Sequence, residues 1–131
     1  ADQGVASTTI WLFSTALIGV FKVAKSFNLV YFSSLIFRTP NVTVVKAFNT
    51  TGFNIMKDPE INGNKTVMLI ASDNDAARKT VKKLAEDIGF HAIEFGDLSS
   101  SRLLEPFALT WISLAYKHGL GRDFGFSIQK K

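Results

Sequence analysis

At 131 residues the chain is the size of one domain with room for an appended segment, and 47% apolar with 20% charged residues excludes intrinsic disorder. The absence of cysteine excludes disulfides, thiolate metal sites and cysteine nucleophiles, without fixing a redox compartment. The net charge of +4 is spread along the sequence. Its densest group, Lys79, Lys82 and Lys83, is followed by Glu86 and Asp87, which reads as a solvated helix face rather than a nucleic-acid patch.

The chain opens at Ala1 with no presequence pattern, as expected of a processed chain or a fragment. Residues 1–40 carry only four charges, Asp2, Lys22, Lys25 and Arg38, and the run from Gln3 to Phe21 carries none over 19 residues. Two readings stand side by side. In the first, a membrane-spanning helix occupies about residues 4–26, since a bilayer needs ~20 apolar residues. Its core is Thr9 to Phe21, with Trp11 near one interface and Lys22 and Lys25 near the other. In the second, Ile10 to Phe13 is a strand, Ser14 to Phe27 a helix, and Leu29 to Phe37 another strand or helix, all buried in a soluble α/β unit. Membrane association is favoured over a soluble cytoplasmic or organellar location.

Composition changes near Pro40, so the domain division falls at 1–40 and 41–131. Val42 to Ala47 is a near-continuous apolar strand broken by Lys46. Asn54 to Lys65 is loop-like, with Asp58-Pro59 and Asn62-Gly63-Asn64 as turn signals. Thr66 to Ala71 has the continuous apolar character of a strand buried on both faces. A helix follows, capped by Asp73 or Asp75, with Ala77, Val81, Leu84, Ala85 and Ile88 at helical spacing and Gly89 as its stop. His91 to Phe95 alternates as a strand. Ser99 to Ser101 offer caps for a last helix, whose apolar stripe runs through Leu103, Leu104, Phe107, Ala108, Trp111, Ile112 and Ala115. Pro106 predicts that this helix begins near Glu105 or bends there. Arg102 and Glu105 are spaced to pair. The order strand, strand, helix, strand, helix gives an α/β class.

Val44–Phe53 (VVKAFNTTGF), Leu69–Phe90, Ser99–Tyr116 and Gly119–Phe126 together resemble the C-terminal part of the deazaflavin-coenzyme-dependent NADP oxidoreductase family. The reductase domain of the six-transmembrane metalloreductases belongs to the same broad group. The resemblance implies a partial Rossmann-like sheet with flanking helices, following the hydrophobic N-terminal segment. It also implies a cofactor-facing turn at Phe48, Asn49, Thr50 and Thr51, where Asn49 and Thr50 would offer hydrogen bonds to a cofactor ring or ribose. A polar turn that satisfies its own backbone is the competing reading of the same residues.

No G-x-G-x-x-G fingerprint stands in the sequence; Gly119, Gly121 and Gly125 follow a helix instead. The chain alone is therefore expected to hold no cofactor, and NADP only if a nucleotide-binding half is supplied elsewhere. No catalytic or metal-binding residue is assigned, since His91 and His118 lack ligand spacing. The expected role is a non-catalytic accessory or interaction subunit of a larger, membrane-associated complex, derived from an NADP-dependent oxidoreductase. The alternative is the C-terminal part of an active enzyme of that type. Expected partners are a larger complex, or a second copy through the Ser99–Tyr116 helix, where the resemblance implies dimer contacts. Arg122 and Asp123 are expected to lock the tail to the domain.

Overall fold

A computed structural model describes residues 9–13 and 42–131. Four strands form one mixed sheet in the order β1 (Thr9–Phe13), β2 (Val42–Lys46), β5 (Val67–Ala71) and β6 (His91–Gly96). Between β2 and β5 lie a single-turn helix α1 (Phe53–Met56) and a small hairpin of β3 (Glu60–Ile61) and β4 (Asn64–Lys65). The hairpin turns at Asn62 and Gly63, both at positive φ, as a two-residue connection requires. The stretch expected to be loop thus contains short regular pieces around its predicted turn signals.

β1 and β2 run parallel in unbroken register from Thr9↔Val42 to Phe13↔Lys46. This corrects the membrane-helix expectation for residues 9–13, whose backbone is committed to a strand ladder. Among the described residues no helix is long and apolar enough to cross a membrane. The remainder of the expected 4–26 span, and the alternative elements at 14–27 and 29–37, lie outside the described residues.

β5, helix α2 (Asp75–Ile88) and β6 make a βαβ unit, with β5 and β6 parallel. Asn74, not Asp73 or Asp75, is the N-cap of α2, its side chain accepting from the Ala77 N–H. Gly89 ends the helix in the left-handed region at φ 118°, a conformation that favours glycine. Ala77, Val81 and Ala85 are the buried line of α2, and they pack on Val45, Ala47, Met68 and Ile70 from one face of the sheet. Leu84 and Ile88, predicted to join that line, are 43% and 40% exposed. Phe90 closes this core, 1% exposed and edge-on to Phe48 with ring centroids 6.3 Å apart.

Val44 and Lys46 alternate with Val45 and Ala47 along the chain, so they face the other side of β2. Helix α3 (Ser101–Tyr116) buries Leu104, Ala108, Trp111 and Ala115. A 3-10 turn at Leu98–Ser100, capped by Asp97, leads into it. Ser100 thus stands at the N-cap position of α3 without a side-chain cap bond, and Asp97 caps the 3-10 turn before it. Its carboxylate is held below the usual range by the Ser99 hydroxyl and then the Ser100 N–H. Pro106 sits inside α3: the helix begins before it and forgoes one backbone bond there.

The contact between β2 and β5 decides the shape of the molecule. These strands are antiparallel and share one backbone bridge, Lys46↔Ala71. Hydroxyls supply the rungs on either side. Ser72 Oγ donates to the Val44 carbonyl at 2.7 Å and Thr50 Oγ1 donates to the Val67 carbonyl at 2.8 Å. The Val67 N–H takes the Phe126 carbonyl of the C-terminal tail at 2.8 Å.

Replacing Thr50 with valine keeps the side-chain volume and strands the buried Val67 carbonyl. Thr50→Val should therefore lower stability by about 1–3 kcal/mol in urea unfolding; wild-type stability would remove this hydroxyl from the support of the fold. Phe90→Ala, which opens a cavity between α2 and the sheet, should cost about 3–5 kcal/mol, measured the same way. For a domain with ~5–15 kcal/mol in hand, it is the more dangerous change.

Candidate functional site

The turn after β2 begins at the carboxyl end of a strand in a parallel pair, where open α/β sheets place ligands. Its geometry is set by side chains that point inward. Phe48 adopts φ 58°, a conformation uncommon for a bulky residue and a recurrent form of local strain at functional turns. Its N–H points at the Met68 Sδ, 3.1 Å away. Asn49 is 1% exposed and its Nδ2 donates to the Leu104 carbonyl of α3 at 3.3 Å. Thr50 is fully buried on β5. Thr51 is 4% exposed, and its Oγ1 has no hydrogen-bond partner among the described residues.

Gly52 completes the turn for a steric reason. A Cβ there would stand 2.6 Å from the far edge of the Trp111 ring, closer than carbon atoms pack, so the turn and α3 require glycine at this point. All four residues singled out from the sequence, Phe48 to Thr51, are brought together. The side chains of Asn49 and Thr50 are engaged with the fold, through the Leu104 and Val67 carbonyls.

Two features escaped the sequence reading. Lys46 ends β2 and forms an ion pair with Glu105 of α3, its side chain only 13% exposed against 35% for Glu105. Glu105 therefore does not pair with Arg102 as its spacing suggested. Nothing local in the sequence could reveal a partner 59 positions away. The second feature is the tail after α3. The Trp111 Nε1 donates to the Phe124 carbonyl at 3.0 Å and its ring stacks on Phe124 at 5.1 Å. Phe126 lies 4.9 Å from Phe107. Asn54 Nδ2 donates to the Arg122 carbonyl at 2.7 Å and to the Asp123 carboxylate, while the Arg122 guanidinium lies 5.5 Å over the Phe53 ring. Arg122 and Asp123 thus do fix the tail, by clasping the far end of the VVKAFNTTGF segment.

A closed polar network stands at the neighbouring strand ends. At the carboxyl ends of β5 and β6, Arg78 is ion-paired with Glu94 and Asp75 and donates to the Ser72 and Gly96 carbonyls. Its pKa is raised, first by the Glu94 hydrogen bond. No cluster among the described residues has the makings of a metal site.

No protein-family profile matches the chain. An 82-residue stretch, 63% of this chain, is 37% identical to metalloreductase STEAP3 of Rattus norvegicus and spans 16% of that protein. Among solved structures, a protein of Arthrobacter sp. assigned as an F420-dependent NADP-reductase superposes at a TM-score of 0.64 with 27% identity. That match covers 75% of this chain and 45% of the reductase. A hypothetical protein of Sinorhizobium meliloti overlaps at a TM-score of 0.46 and 29% identity, over 55% of this chain and 34% of its own. The chain thus spans less than half the length of the relatives it matches. Sequence and fold together relate it to the NADP oxidoreductases of this group, consistent with the C-terminal part of that family.

Proposed function

We propose that this chain is the C-terminal part of an NADP-dependent oxidoreductase, with the Phe48–Gly52 turn beside the reacting end of the cofactor. The observation that carries the reading is the turn itself. It is strained at Phe48, stands at the carboxyl end of the parallel β1–β2 pair, and belongs to a chain related in sequence and fold to NADP-linked reductases. Hydride transfer asks a protein mainly to align two cofactors, since the cofactors supply the reactivity. A rigid turn tied to β5 through Thr50 and to α3 through Asn49 suits that task. The phosphates of the dinucleotide would be held by a nucleotide-binding unit other than residues 42–131.

A second reading, an accessory or interaction subunit of a larger complex, draws on a different observation. Asn49 and Thr50 are buried in the fold, while Leu103, Leu109 and Tyr116 of α3 are 64%, 63% and 53% exposed. Exposed apolar residues on one helix suit a protein partner or a second copy of this chain.

One experiment separates the two. The full-length protein, titrated with NADPH and then mixed with a flavin or deazaflavin acceptor, should bind in the range of roughly 1 µM to 1 mM and transfer hydride. Asn49→Ala, which frees the turn from α3, should slow transfer by about tenfold or more and change NADPH affinity less. Absence of both binding and NADPH oxidation would sink the enzyme reading. A stable assembly larger than one chain, broken by Leu109→Glu, would then favour the interaction subunit.

A further inference from the structure

Helix α1, which continues the candidate turn, cannot hold its own position. It is four residues long, and its N-cap Gly52 brings no side-chain bond to it; an isolated helix so short does not persist in water. Ile55 is buried beneath it, but Phe53 at its start is 56% exposed. The tail after α3 supplies further anchors. Asn54 Nδ2 donates to the Arg122 carbonyl and the Asp123 carboxylate, and the Arg122 guanidinium lies over the Phe53 ring. Trp111 seats the tail in turn, through its Nε1 bond to the Phe124 carbonyl and its stack on the Phe124 ring. One edge of the same indole meets Gly52, where a Cβ would stand 2.6 Å from it. Tail and turn are thus coupled at two points, directly through Asn54 and indirectly through Trp111.

The two couplings differ in depth. Trp111 is 2% exposed and belongs to the buried face of α3. Both Asn54 bonds lie at the surface, where a polar contact adds little to global stability. Their effect falls on α1, whose own stability is negligible. We propose that residues 122–126 are a strap that positions the candidate turn, with Asn54 and Asp123 as its clasp. Closed, the strap holds Gly52 to Asn54 against Trp111 and fixes the backbone of the Phe48–Gly52 turn for hydride transfer. Open, α1 frays and the turn loosens while the core beneath α2 stays intact. The inference rests on the oxidoreductase reading and makes Asn54 and Asp123 positioning residues, which act through the turn.

The reporter is the Ile55 N–H, which donates to the Gly52 carbonyl at 3.2 Å. Its exchange with deuterated water is followed by NMR in the full-length protein, beside that of Val81 and Ala85 in α2. Asn54→Ala should speed exchange at Ile55 by about tenfold and leave α2 unchanged, because the opening is local. Asp123→Ala should speed it several-fold, and should add nothing in the Asn54→Ala background, since both act through one contact. Hydride transfer from NADPH to a flavin acceptor should slow by similar factors in these variants, with NADPH affinity changed less. Three results would overturn the inference alone: an Ile55 amide that is unprotected in the wild type or unaffected by the substitutions, equal acceleration at Val81 and Ala85, or faster exchange at Ile55 with an unchanged transfer rate. A wild type that neither binds nor oxidises NADPH would overturn the inference and the oxidoreductase reading together.

Discussion

The junction of β2 with β5 is the constraint on which the rest of the structure depends. Two antiparallel strands that meet at a single backbone bridge, Lys46↔Ala71, would ordinarily leave a row of unpaired carbonyls inside the protein. Each such group costs about as much as a lost hydrogen bond. Ser72 and Thr50 supply hydroxyls where backbone N–H groups are missing, and the tail supplies the Phe126 carbonyl. Because side chains reach across, the backbone at Phe48 need not follow the ladder. It turns into the left-handed region there and sends residues 49–52 toward α3.

From that junction the two layers follow. Val45 and Ala47 direct the sheet toward α2, and with Met68, Ile70 and Phe90 they form the dry core on that side. Lys46 faces α3 and is drawn between helix and sheet with its charge met by Glu105. The tail closes the structure with aromatic rings where regular elements are absent. Phe124 stacks on Trp111, and Phe126 stands edge-on to Phe124 and against Phe107. Gly125 permits this course, since a Cβ there would fall 2.6 Å from the Thr66 side chain. Thr66, buried at 1%, thus has the tail seated directly on it.

What the sequence revealed is what depends on neighbours along the chain. Residues 67–71 and 91–96 were legible as strands because each is a short apolar or alternating run. α2 was legible from the spacing of Ala77, Val81 and Ala85 and the stop at Gly89. Capping was read one residue off at α2, since Asp73, Asn74 and Asp75 all have side chains able to accept, and only the backbone geometry at Asn74 selects among them. Residues 9–13 were ambiguous because an uncharged run satisfies a bilayer or a sheet equally well. Pairing with β2 resolves them, and that pairing is non-local. The Lys46–Glu105 contact, the tail's course and the hydroxyl rungs are all partnerships across long sequence separations, and no periodicity encodes them. At the candidate site the four residues Phe48–Thr51 were found as a group, whereas the inward direction of Asn49 and Thr50 was not, since a turn motif does not say which way its polar groups point.

That inward direction changes how a ligand could use the motif. Polar side chains engaged with Val67 and Leu104 cannot turn to a cofactor without breaking the bonds that hold the turn. Their contribution to the fold is to fix a strained backbone at Phe48 and to tie the turn to α3. Contact would then fall to groups at the margin of the turn, where Lys46 and Glu105 stand half-buried and Phe53 is 56% exposed under Arg122. Rigidity inside the turn would remove the entropy cost of ordering a loop around a ligand. A motif can therefore commit its Asn49 and Thr50 side chains to structure and still be what positions a ligand's neighbours.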